Sequence, residues 1–208
     1  LSAMQPPRHP CCCGPHAAPL KLGDDQSLHF RSMTQDILIP WVFGYGSLIW
    51  NPGFVYERAE RAVLPGAHRR LCVFSHRHRG TPERPGLVFG LERGGSCVGM
   101  GFKIAPGDWP EVRQYLRDRE QVTDVYRETL RSIRLESGER VTALVFLADP
   151  GHLQYAGRLA LDDQHAIVRG ASGLSGPNAE YVINTVRHLD TMGIADPQLS
   201  ALATLLSR

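Results

Sequence analysis

The sequence predicts an α+β domain in which a β-rich core carries three or four helices. Three observations lead there. From Asp36 onward, short apolar runs alternate with turn residues, the pattern of a chain built from many strands. Only a few segments combine helical periodicity with start and stop signals. The 208 residues are 42% hydrophobic, enough for one ordinary core and short for two.

Residues 1–35 carry scattered prolines, histidines and glycines without an apolar signal core, and read as a disordered extension or a leader, with Met4 and Met33 as candidate starts. The ordered domain is expected over residues 36–208. It opens with Ile37-Leu38-Ile39 and Trp41-Val42-Phe43. Further strands are expected at Arg61 to Leu64, Arg70 to Ser75, Gly86 to Glu92, Cys97 to Ile104, Tyr126 to Leu135 and Glu139 to Phe146. Their boundaries are Pro65-Gly66, Gly94-Gly95, Pro106-Gly107, Ser137-Gly138 and Asp149-Pro150-Gly151. Ser137-Gly138 has the form of a hairpin turn. So many short strands point to a closed or nearly closed sheet.

The first helix should open at Asp108, where Asp108-Trp109-Pro110-Glu111 supplies an N-cap acid, an early proline and a capping-box acid, and should run to about Glu120. A second covers Ala160 to Val168. A third follows Gly176-Pro177-Asn178 and stops near Met192, before Gly193. Pro197 to Leu206, with Leu199, Leu202, Leu205 and Leu206, forms a short amphipathic closing helix.

The net charge of +2, from 23 basic and 21 acidic side chains, is too balanced to point to nucleic acid or an anionic membrane, and favours a small metabolite. No apolar run approaches the roughly 20 residues that span a bilayer, so no membrane partner is expected. The five cysteines, Cys11, Cys12, Cys13, Cys72 and Cys97, are odd in number and three are consecutive. That fits a reducing, cytoplasmic setting better than a disulfide framework. No cofactor and no metal are expected. Cys11 to Cys13 lack zinc-knuckle spacing, and His76 and His78 lack a nearby third ligand. Dinucleotide and phosphate-loop fingerprints, a His-Glu-x-x-His pair and a nucleophile elbow do not occur.

Four segments carry chemistry. In Val42-Phe43-Gly44-Tyr45-Gly46-Ser47-Leu48 an apolar strand breaks onto glycines, which let backbone N–H groups converge on a small anion. On the helix from Asp108, Trp109, Val112, Leu116 and Glu120 share an arc of roughly 80°, while Glu111 and Asp118 point away. Glu120 is then either an inward carboxyl with a raised pKa or one partner of an end-of-helix ion pair with the neighbouring arginines. The loop His76 to Gly86 packs charge, histidine and proline together, as a basic surface patch would. Ser172 to Tyr181 joins a glycine-serine turn to a helix start, where Ser175 and Asn178 could cap or a carboxylate could bind.

Taken together, these segments resemble the ChaC-type family of glutathione-specific γ-glutamylcyclotransferases over nearly all of Trp41 to Leu206. The Gly44 to Leu48 run, Tyr115-Leu116-Arg117-Asp118-Arg119-Glu120, the His78-Arg79-Gly80-Thr81-Pro82-Glu83 loop and Ser175-Gly176-Pro177-Asn178-Ala179-Glu180-Tyr181 stand in the family's order. The resemblance implies the γ-glutamylcyclotransferase-like fold, a small mixed β-barrel flanked by helices. It implies a lyase that cleaves glutathione to 5-oxoproline and cysteinylglycine, with Glu120 catalytic. Tyr45, Gly46, Ser47, Leu48, Arg79, Thr81, Tyr126 and Tyr181 would bind substrate. Arg117 stands where the family usually has aspartate, and Asp124-Val125 replaces two glycines before Tyr126. A noncatalytic γ-glutamyl or amino-acid-binding regulator of a cation transport system is the rival reading. A nucleic-acid module using Arg69, Arg70, Arg77 and Arg79 is a third, opposed by the lack of interleaved aromatics. Nothing in the sequence sets an oligomeric state.

Overall fold

The computed structural model describes residues 41–120 and 124–208. The expected extension over residues 1–35, the Ile37-Leu38-Ile39 strand and the Cys11 to Cys13 triplet lie outside the described residues.

Five strands close a barrel in the order β1-β3-β2-β4-β5. They are β1 (Trp41–Gly44), β2 (Arg58–Ser75), β3 (Gly86–Lys103), β4 (Tyr126–Leu135) and β5 (Arg140–Ala148). β1 is antiparallel to β3 and parallel to β5, so the barrel is mixed and β1 is its closing strand. Four helices follow in chain order, α1 (Trp109–Glu120), α2 (Leu161–Gly170), α3 (Asn178–Thr191) and α4 (Pro197–Leu206). A two-stranded hairpin of β6 (Ser172–Gly173) and β7 (Gly176–Pro177) leads directly into α3.

β1 and β5 are apolar on both faces because each separates two cores. Trp41, Phe43, Ala143, Val145 and Leu147 face a large cluster with Leu64, Leu87, Leu189 and Leu202. Val42, Leu144 and Phe146 alternate outward against Val112 and Leu116 of α1. Leu116 is fully buried there, and a buried leucine contributes about 1.5–3 kcal/mol. This packing puts the last turn of α1 beside the end of β1.

The strand boundaries require one correction. Pro65-Gly66 and Gly94-Gly95 are not turns between separate strands. The register jumps from Pro65↔Ser96 to Ala67↔Arg93, so these residues face one another as a bulge inside a continuous 18-residue pair. Gly66, Gly94 and Gly95 all have positive φ, which glycine adopts without strain. A bulge and a turn need the same residue types, and only the pairing partner separates them. Ser137-Gly138 does make the hairpin turn between β4 and β5, where the Gly138 N–H bonds the Leu135 carbonyl at 3.0 Å.

Candidate active site

β1 ends on Gly44, and the chain then tightens into a single 3-10 turn over Ser47–Ile49. The Ile49 N–H bonds the Gly46 carbonyl at 2.9 Å. Among the described residues, the N–H groups of Ser47 and Leu48 make no backbone hydrogen bond. A Cβ on Gly44 would stand 3.0 Å from the Phe102 ring and 3.1 Å from the Leu48 Cβ, so glycine lets the turn fold tightly onto β3.

The turn forms one wall of a cavity of about 430 Å³. Tyr45, Gly46, Ser47 and Leu48 line it with Arg119 and Glu120 from α1, and Tyr126 and Tyr181 complete the enclosure. Glu120 is the last residue of α1, one turn beyond the buried Leu116, and its side chain is only 17% exposed. Burial pushes its carboxyl above the ordinary carboxylate range, against the opposing pull of the Arg119 guanidinium 3.4 Å away. Tyr45 and Tyr126 are also raised, chiefly by burial, so all the tyrosines facing Glu120 stay neutral hydrogen-bonding groups. The Tyr126 hydroxyl donates to the Phe89 carbonyl at 2.7 Å.

The two loop segments singled out in the sequence meet at the cavity mouth. The Leu174 and Ser175 N–H groups bond the Arg77 and His78 carbonyls at 2.9 Å each, docking the β6–β7 hairpin on the basic loop. Arg79 donates to the Ser175 and Pro177 carbonyls and lies over the Tyr181 ring at 5.0 Å. It lines the cavity and, among the described residues, has no carboxylate in salt-bridge range.

A family profile described as ChaC-like protein matches residues 40–208. The chain belongs to the ChaC-like family. It is 32% identical to a glutathione-specific γ-glutamylcyclotransferase of Escherichia coli (strain K12), covering 78% of this chain and 70% of that protein. A glutathione-specific γ-glutamylcyclotransferase 1 of Homo sapiens is 28% identical over 88% of this chain and 83% of its own. Among solved structures, a glutathione-specific γ-glutamyl cyclotransferase from yeast superposes with a TM-score of 0.74 at 25% identity, covering 80% of this chain and 95% of that one.

Within this ChaC-like chain, seven of the eight residues expected to bind substrate share one cavity with Glu120. Thr81 is the exception. It is exposed and does not line the cavity, and its hydroxyl accepts the Arg84 N–H at 3.2 Å to close the loop on itself. Arg117, standing where the family usually has aspartate, joins Arg113 in binding Glu128 on β4 at 2.7 and 2.6 Å. The substitution therefore leaves the inward face of α1 untouched. Asp124 takes a φ of 55°, the left-handed backbone that a glycine would adopt freely.

Two side chains that alternative readings would have placed at the surface or at a helix cap are buried instead. Arg69 and Arg70, which the nucleic-acid reading would have used, are not free surface cations. Arg69 is 4% exposed, and Arg70 pairs with Glu92 at 2.9 Å. Asn178 does not cap α3. It is fully buried, accepting the Leu87 N–H at 2.7 Å and donating to the Leu87 carbonyl at 2.8 Å, in the manner of a neighbouring strand. Sequence reasoning also missed Arg119, although the tyrosine-to-glutamate string contained it. Its guanidinium reaches the Ser47 hydroxyl at 2.8 Å, the Asn51 carbonyl at 2.9 Å and the Tyr115 hydroxyl at 2.9 Å, tying α1 to the glycine turn.

Proposed function

We propose that this chain is a γ-glutamylcyclotransferase acting on glutathione, with Glu120 as its proton shuttle. One observation carries the reading. Among the described residues, the cavity is lined by one carboxyl, of raised pKa, together with a glycine turn, neutral tyrosines and an arginine with no carboxylate in salt-bridge range.

The reaction needs no external nucleophile. The α-amine of the γ-glutamyl group attacks its own γ-carbonyl carbon, a C–N bond closes the five-membered lactam, and the amide C–N bond to cysteine breaks. The attacking nitrogen must lose a proton, and the departing nitrogen must gain one. Glu120 takes the first and returns it to the second, so no net proton is consumed. General acid–base catalysis of this kind supplies about 10²- to 10⁴-fold. The Gly46 to Leu48 backbone and the Ser47 hydroxyl hold the γ-glutamyl end and its developing oxyanion. Arg79 faces the glycine carboxylate of the leaving dipeptide, and Tyr45, Tyr126 and Tyr181 exclude water around the carboxyl. The two buried thiols, Cys72 pushed up to about 12 and Cys97 also raised, are unreactive groups and suit a reducing cytoplasm.

Incubation with glutathione, followed by mass spectrometry for 5-oxoproline and cysteinylglycine, tests the reading. Glu120→Gln should retain the fold and glutathione binding while losing about 10²- to 10⁴-fold in turnover. Binding without turnover by the unaltered protein would instead support a noncatalytic ligand-binding regulator.

A further inference from the structure

Arg69 lies on β2, outside every segment that the sequence tied to catalysis, yet its side chain is buried to 4% exposure. Its Nε donates to the Tyr45 carbonyl at 2.5 Å and one terminal nitrogen donates to the Val98 carbonyl of β3 at 2.7 Å. The other terminal nitrogen stands 3.7 Å from Asp196. Asp196 is itself bound at both ends, because its side chain also accepts the Leu199 N–H at 3.2 Å as the N-cap of α4.

The Tyr45 carbonyl is the critical contact. It immediately precedes Gly46, the N-cap whose carbonyl takes the first bond of the 3-10 turn, so the Ser47 and Leu48 N–H groups have no partner within that turn. The first bond of the turn runs from the Ile49 N–H to the Gly46 carbonyl, and Arg69 holds the Tyr45 carbonyl just outside it. A peptide unit is planar, so fixing that carbonyl also fixes the direction of the Gly46 N–H. The buried guanidinium thus sets the orientation in which the chain enters the turn and presents its N–H donors. Only arginine offers several donors in one rigid plane that can grip two carbonyls and a carboxylate together.

We propose that Arg69 is the positioning residue of the substrate-binding turn, held in place by Asp196, so that the N-cap of α4 is part of the active-site scaffold. This rests on the proposed γ-glutamylcyclotransferase activity for its kinetic consequence, and on the fold alone for its structural one.

The test uses the full chain with Arg69→Met, Arg69→Lys and Asp196→Asn, and Ile133→Val as a core-destabilised comparator outside the cavity. Arg69→Met should raise KM for glutathione about tenfold or more with a smaller change in kcat, because a turn of lost orientation binds substrate poorly. Arg69→Lys should recover part of that loss, and Asp196→Asn should show a milder KM increase. Ile133→Val should lower Tm without moving KM. In parallel, hydrogen exchange of the peptide spanning residues 42–50 should accelerate about tenfold in Arg69→Met while β4 and β5 stay protected. If Arg69→Met does not fold, Arg69→Lys and Asp196→Asn carry both readouts. Wild-type KM and unaltered exchange at residues 42–50 in the folded variants would overturn the proposal. Absence of turnover in the unaltered protein would sink the catalytic reading, and the exchange result would still decide the role of Arg69.

Discussion

Glu120 and Arg119 are adjacent in sequence but do opposite things to one proton. Burial holds the Glu120 carboxyl above the ordinary range, and the Arg119 charge draws it back down. In the proposed mechanism the ionised carboxylate is the form that accepts the amine proton, so kcat/KM should fall as pH drops through the Glu120 pKa. That acid limb should sit above the pH at which an ordinary glutamate titrates. Replacing Arg119 by leucine removes the opposing charge, so the limb should move to still higher pH, as a pH series of kcat/KM will read. A limb that stays in place, or moves down, would show that burial does not control this group. The loss of the Arg119 bonds to Ser47 and Asn51 lowers the height of the profile, which is separable from its position.

At the scale of elements, the site depends on joints between segments far apart in the chain. Asn178 begins α3, yet its side chain completes the hydrogen bonding of Leu87 on β3, 91 residues away. Asn178→Ala would leave both Leu87 backbone groups buried without partners, at about 1–3 kcal/mol each, and should lower Tm by roughly 5 °C or more. A melting temperature within a degree or so of wild type would mean the joint contributes little. The β6–β7 hairpin is a second joint. A Cβ on Gly173 would come within 2.5 Å of the Arg77 carbonyl and 2.7 Å of the Gly80 nitrogen. Gly173→Ala should therefore lift the hairpin off the loop that carries Arg79, at about 1–3 kcal/mol, with a KM increase as its kinetic readout. An unchanged KM would detach the hairpin from substrate binding.

Across the whole molecule, the carboxyl proposed as catalytic should lower stability at working pH. The folded pKa of Glu120 is raised above its unfolded value, so the folded state holds this proton more tightly. The resulting stability is present below the unfolded value and is lost as pH rises through the folded one. Glu120→Gln carries no charge to bury, so its Tm relative to wild type should rise with pH across that window and level off above it. Parallel melting curves from acid to neutral pH would contradict this.

Strand and helix locations were legible from Trp41 onward because they follow from periodicity and turn residues within a short window. The inward face of α1 was legible for the same reason: Val112, Leu116 and Glu120 recur at helical spacing, and the first two are indeed buried. By itself the sequence determined an α+β chain with a glutamate on the apolar stripe of its first helix and a glycine turn at the end of its first described strand; that the glutamate is largely buried, the tertiary structure decided. Only the tertiary structure decided that Pro65-Gly66 bends a strand and does not end it, that Thr81 closes its own loop, and that Arg69 is buried. It also decided that Asn178 serves β3. Thr81 apart, whose partner Arg84 lies three residues on, each of those outcomes depends on which distant groups need a partner once the barrel closes, and local residue patterns carry no information about partners that lie tens of residues away.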